Sequence, residues 1–162
     1  MDENIAVSVI CNAFNQEDYI GMSEDAAILY SGVKEIILSG INTGTYGKDL
    51  GEINLAKLIE MIIIKVPNLY RLRLSSIELM EINVELLDVI SKYPTKIANH
   101  LHIPLQSGSN GVLKRMERKY SMKEYFEKID TIKSRFNDIA ITTDCLAGFV
   151  GETEDEFEET CE

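Results

Sequence analysis

The sequence contains no tryptophan, three prolines, three cysteines and two histidines in 162 residues, and each scarcity excludes something. Three widely spaced cysteines (Cys11, Cys145 and Cys161) cannot build a disulfide framework and suit a reducing, cytoplasmic setting. No apolar run approaches the roughly 18 residues of a membrane span. Met61–Ile64 is cut short by Lys65, and no leader-like segment opens the chain, so no membrane partner is expected. Positive charge is also scarce: 16 Lys and Arg face 27 Asp and Glu, a net charge of −11. A chain this acidic lacks the electrostatic footprint of a nucleic-acid binder. It has no Walker loop, G-x-G-x-x-G, G-x-S-x-G, H-E-x-x-H or paired C-x-x-C, so short motifs leave its chemistry open.

What is present is organised around residues 97–120. Both histidines, His100 and His102, fall here two apart, a spacing that puts them on one face of a strand. Pro104 ends that strand. A polar turn follows, its Gln106, Ser107, Ser109 and Asn110 separated by flexible Gly108 and Gly111. Ser109 or Asn110 is expected to cap a helix carrying Val112, Leu113 and Met116. Backbone N–H groups in such a turn suit an anion, although an ordinary capped connection accounts for the same residues. The one basic cluster, 114–119, adjoins this turn, and the acidity gathers in 151–162.

Along the chain, strands alternate with helices five times. Strands are expected over 5–10, 34–39, 70–74, from 97 to Pro104, and over 138–144. Ser23 caps a helix over 24–30, and Asn54 opens one carrying Leu55, Leu58, Ile59, Ile62 and Ile63. Asn83 caps another with Leu86, Leu87 and Ile90, ending before Pro94. Ser121 with Glu124, and Thr153 with Glu156, make capping boxes. The first of these opens a helix carrying Phe126, Ile129, Ile132 and Phe136. The rhythm of roughly 30 to 40 residues is that of βα units and implies a parallel sheet. Cys11, Asn42, Ser75, Glu78, Gln106 and Asp144 all fall at C-terminal strand ends, where α/β folds bind ligands. Five units are too few for a closed eight-stranded barrel. An open sheet or an arc of a barrel remains.

Four segments taken together resemble one family. They are 37–47 (ILSGINTGTYG), 73–78 (RLSSIE), 100–120 (HLHIPLQSGSNGVLKRMERKY) and 142–160 (TTDCLAGFVGETEDEFEET). In this order and spacing they resemble the radical-SAM methylthiotransferases, nearest to those acting on N6-threonylcarbamoyladenosine in tRNA. The resemblance implies an incomplete parallel (β/α) barrel of about five units, as one domain over 1–162, with 1–32 a degenerate cluster-loop region. It implies S-adenosylmethionine and a [4Fe–4S] cluster as family cofactors and tRNA as family substrate. Carried over by residue, Gly40, Asn42 and Thr43 match the turn receiving the methionine amino group. Ser75, Ser76 and Glu78 match positions near ribose and methionine, and His102, Gln106 and Ser107 match the pocket wall. Arg118 matches a partner for the cofactor carboxylate, and Gly148, with Gly151, matches the turn near adenine.

The sequence also departs from that pattern. Laid on the family's C-x-x-x-C-x-x-C loop, Cys11 keeps the first cluster position, while Asn15 and Asp18 occupy the other two. One thiolate with an amide and a carboxylate is a poor cluster set. Leu79 and Val150 stand where the family usually has proline. The chain is therefore expected to be a truncated barrel segment, inactive alone, with weak S-adenosylmethionine binding at most, no direct RNA contact, and self-association across an open edge. The alternative is a non-catalytic α/β binding or interaction module that keeps the pocket's shape.

Overall fold

The computed structural model describes residues 8–12 (backbone only), 34–40, 42–48 and 53–162. Among them are five strands: β1 (Ser8–Asn12), β2 (Glu35–Ser39), β3 (Arg71–Leu74), β4 (His100–His102) and β5 (Ala140–Thr142). The helices are α1 (Leu55–Lys65), α2 (Val84–Lys92), α3 (Asn110–Arg115), α4 (Met122–Arg135) and α5 (Glu154–Cys161), with single 3-10 turns at Thr43–Thr45 and Leu79–Glu81. The expected 24–30 helix, with its Ser23 cap, and the positions Asn15 and Asp18 lie outside the described residues, as does the 5–7 part of the first strand. The strands pair in parallel throughout, which makes this an α/β fold. No helix among the described residues is long and apolar enough to cross a membrane.

The chain divides into two compact units, the first running to Ser75 and resuming over Asn83–Asn99. Its sheet has the order β1-β2-β3, with Ile36 opposite Leu72 and Leu38 opposite Leu74. These four side chains are buried and alternate with half-exposed neighbours, so one face of the sheet is the core face. α1 buries Leu55, Leu58, Ile59, Ile62 and Ile63, as the helical period requires. α2 buries Leu86, Leu87, Val89 and Ile90. Burying each such side chain is worth about 1.5–3 kcal/mol. Both helices begin where a short amide can accept: Asn54 from the Lys57 N–H and Asn83 from the Leu86 N–H. Each ends two residues before a proline, Pro67 and Pro94, because the residue preceding proline is pushed out of helical geometry.

The second unit comprises Ser76–Ile82 and His100–Glu162. β4 and β5 pair in register from His100–Ala140 to His102–Thr142. The pairing continues past both strands as a Gln106–Cys145 bridge, and Ser76 bridges His102 on the other side. α4 opens with the expected capping box, Ser121 with Glu124, and α5 with Thr153 and Glu156. The apolar face of α4 differs from expectation. Tyr125, Ile129 and Ile132 are buried, whereas Phe126 is 58% exposed. Positions 125, 129 and 132 keep 4-3 spacing, and Phe126 stands one residue, about 100°, round the helix.

α3 corrects a second expectation. Ser109 is its N-cap by position but makes no side-chain cap bond, and Asn110 is its first helical residue. The Asn110 side chain instead accepts from the Met122 N–H at 2.9 Å, tying the start of α3 to the start of α4.

Candidate functional site

Two tyrosines fix the passage from β4 into the polar turn. Tyr125 donates its hydroxyl to the Ile103 carbonyl at 2.8 Å, and Tyr120 to those of Pro104 and Leu105, each at 3.0 Å. Burial pushes the Tyr120 phenol up to about 12 and raises that of Tyr125, so both stay protonated donors. The next residue, Gln106, has φ 72°, a left-handed conformation that costs a non-glycine residue on the order of 1 kcal/mol. Two bonds along the sheet hold it there. Its N–H donates to the Asp144 carbonyl and its carbonyl accepts from the Leu146 N–H, both at 2.8 Å. Gln106 is thereby locked to the segment after β5.

β4 and β5 end in a polar strip. His100 Nε2 and His102 Nδ1 lie 2.8 and 2.9 Å from Thr142 Oγ1, and His102 Nε2 lies 3.2 Å from Asp144 Oδ2. The two histidines do share a face, as their spacing requires. Thr142 and Asp144 complete a group that the motif match does not single out, although their positions opposite the histidines follow once β4 and β5 are paired. Beside them, burial first, then Asp144 and Cys161, raise the Cys145 thiol above its ordinary value.

Glu78 and Arg118, both expected at the site, form an ion pair with Nη1–Oε1 at 2.9 Å. Gln106, Arg115, Met116, Glu117, Arg118, Leu146 and Phe149 line a cleft of about 340 Å³. Leu146 and Phe149 offer apolar surface, and the arginines and Gln106 offer donors. A planar group with a polar edge suits that lining. Gly148 turns the cleft-side loop with φ 79°, and its N–H and that of Phe149 donate to the Glu152 carboxylate.

The expected positions differ in what surrounds them. Ser107 is fully buried, its hydroxyl 3.1 Å from Thr160 Oγ1 and accepting from the Ser109 N–H at 3.1 Å. The Gly108 N–H donates to Thr160 Oγ1 at 2.9 Å. The Gly108 and Ser109 N–H groups are thus taken internally, the first by Thr160 of α5 and the second by Ser107, rather than by an anion. A Cβ on Gly108 would stand 2.5 Å from the Glu159 carbonyl oxygen, so glycine there permits close packing of α5. Ser76 is exposed, with its backbone bridged to His102.

Gly40, Asn42, Thr43 and Ser75 belong to the first unit. Thr43 is buried and donates its hydroxyl to the Gly40 carbonyl at 3.2 Å, while the Asn42 carbonyl accepts from the Thr45 N–H and hydroxyl. Ser75 donates its N–H to the Leu38 carbonyl at 2.9 Å. Cys11 lies in β1, opposite Leu38. Among the described residues no three His, Cys, Asp or Glu side chains group as metal ligands. Cys145 follows β5 and Cys161 ends α5, both free, and neither stands at cluster-loop spacing from Cys11. The thiolate set of this sequence does not fit a three-cysteine [4Fe–4S] site.

A parallel α/β fold with polar strand ends belongs to a broad class, and comparison narrows it: residues 11–162 match the Radical SAM superfamily. The chain belongs to that superfamily. It is 48% identical over 130 residues to the threonylcarbamoyladenosine tRNA methylthiotransferase MtaB of Bacillus subtilis (strain 168), covering 80% of this chain and 29% of the relative. Against the MtaB of Thermotoga maritima the figures are 45% over 139 residues, 86% and 31%. A tRNA-2-methylthio-N(6)-dimethylallyladenosine synthase of Thermoanaerobacter pseudethanolicus is 43% identical over 145 residues, with 89% and 30% covered. The chain thus spans about 30% of the length of the relatives it matches.

Proposed function

We propose that this chain is a segment of the S-adenosylmethionine-binding core of a tRNA methylthiotransferase, related to enzymes acting on N6-threonylcarbamoyladenosine, with its strands forming an incomplete parallel (β/α) barrel. The 48% identity to the Bacillus subtilis relative over 130 residues carries this reading. The ligand positions proposed from the motif match are Gly40, Asn42, Thr43, Ser75, Ser76, Glu78, His102, Gln106, Arg118 and Gly148, with Ser107, buried against Thr160, in a supporting place. Of these, Gln106 and Arg118 line the cleft beside Leu146 and Phe149. With one cysteine at the cluster loop, the segment alone binds the cofactor weakly and carries out no reductive cleavage.

A second reading, a non-catalytic module that retains the pocket, is favoured by the engagement of Arg118 with Glu78 and of Ser107 with Thr160. Anaerobic iron and sulfide reconstitution, followed by iron analysis and calorimetric titration with S-adenosylmethionine, tests both. Colourless protein with weak, saturable binding is the expected result. About four irons per chain, lost in Cys11→Ala, would overturn the inactive reading. Absence of any binding would leave only the non-catalytic module.

A further inference from the structure

His100, Thr142, His102 and Asp144 touch in sequence along β4 and the end of β5, at 2.8, 2.9 and 3.2 Å. We infer that these four side chains form one directional hydrogen-bond chain, a proton relay running from His100 through Thr142 and His102 to Asp144. The direction follows from counting hydrogens. An ionised carboxylate only accepts, so His102 Nε2 carries a hydrogen. A neutral imidazole has one N–H, which leaves His102 Nδ1 an acceptor for the Thr142 hydroxyl. That hydroxyl, its hydrogen committed, can only accept from His100, so His100 also carries its hydrogen on Nε2.

One pass along the chain balances. The His102 Nε2 hydrogen moves to Asp144 Oδ2, the Thr142 hydrogen to His102 Nδ1, and the His100 Nε2 hydrogen to Thr142 Oγ1. Three bonds to hydrogen break and three form. A His100 that starts as imidazolium ends neutral, and Asp144 ends as a carboxylic acid. The Asp144 side chain is 69% exposed, so the proton emerges at the outer end of the strip. A weakly basic nitrogen or oxygen of a bound ligand would receive it there.

The same geometry couples the two imidazoles. When His102 is charged, its Nδ1–H donates to Thr142, which frees the hydroxyl to turn round and donate to His100 Nε2, the His100 hydrogen then standing on Nδ1. In this arrangement protonation of His102 switches the tautomer of His100. Among the described residues, the titratable groups on the strip are the two imidazoles and Asp144. The residue in register with His102 on its other side is Ser76, which does not titrate, and the Cys145 thiol adjoins Asp144.

The inference is independent of the methylthiotransferase reading, because its test reads ring nitrogens and uses no cofactor. In the isotopically labelled full chain, nitrogen chemical shifts of both imidazoles are followed against pH. His100 Nε2 is expected to pass from the protonated to the unprotonated nitrogen range at the pH where His102 gains its charge. Thr142→Val should abolish that passage with the amide spectrum otherwise preserved, and Thr142→Ser should restore it. A His100 that keeps its Nε2 hydrogen through the His102 titration would overturn the relay. So would a folded Thr142→Val chain whose His100 switches as before.

Discussion

Arg115 and Glu156 meet side-on in a two-pronged ion pair, with Nη1–Oε1 at 3.0 Å and Nη2–Oε2 at 2.7 Å. The pair joins α3 to α5 and makes the start of α5 depend on pH. Arg115, with help from the Thr153 N–H, holds the Glu156 carboxyl at about 2. The folded value lies below the ordinary one of 4.5, so this contribution is complete above about 4.5 and is lost as pH falls towards 2. Hydrogen exchange at the Gly108 amide, which bonds to Thr160, should lose protection across that window. Arg115→Met should show weakened protection already at neutral pH.

Gly108 and Gly148 should respond differently to alanine. At Gly108 the new Cβ meets backbone atoms of Glu159 and Thr160 at 2.5 and 2.7 Å, which neither side can yield cheaply. Gly108→Ala should cost about 1–3 kcal/mol in urea unfolding and loosen α5. At Gly148 nothing lies within 4 Å, and only its φ of 79° resists a side chain. Gly148→Ala should cost about 1 kcal/mol and leave α5 in place.

Tyr125→Phe removes the buried donor to the Ile103 carbonyl while keeping the ring in the core. The expected loss is about 1–2 kcal/mol, read by thermal or urea unfolding. The backbone between His102 and Gln106 should become more mobile, visible as broadened or faster-exchanging amides there.

The Cys145 thiol is held above its ordinary value by burial, Asp144 and Cys161, in that order. A raised thiol carries less thiolate at pH 8, so Cys145 should be alkylated slowly for an exposed cysteine. Asp144→Asn removes one cause and should quicken it. Mass-spectrometric mapping of iodoacetamide adducts with time measures both rates.

Much of this was legible because it depends on local chemistry. Asn54, Asn83, Ser121 and Thr153 cap their helices because a short side chain three residues before a free N–H needs no distant partner. The facing of His100 and His102 follows from the two-residue pleat. What escaped depends on residues far along the chain. Ser107 reads as a pocket wall until Thr160 arrives beside it, 53 positions later. Gly108 reads as a flexible turn until α5 packs against its bare Cα. Tyr125 and Phe126 compete for the same helix face, and the buried carbonyl of Ile103 favours the one with a hydroxyl. The strained φ of Gln106 has no signature in its neighbours, since the bonds that impose it come from residues 144 and 146.

The short excursion Ser76–Ile82 sets a limit on dissecting this protein. These seven residues pack with the second unit, yet the chain then returns to the first for Asn83–Asn99. Ile77, Leu79 and Ile82 are each about 1% exposed. A cleavage after Asn99, although it falls where the first unit ends and the second resumes, would therefore leave Ser76–Ile82 on the wrong side of the cut. It would leave a fragment with three stranded apolar side chains and a complement lacking part of its core. Such pieces should aggregate when expressed apart, so a dissection of the two units has to keep Ser76–Ile82 with the second.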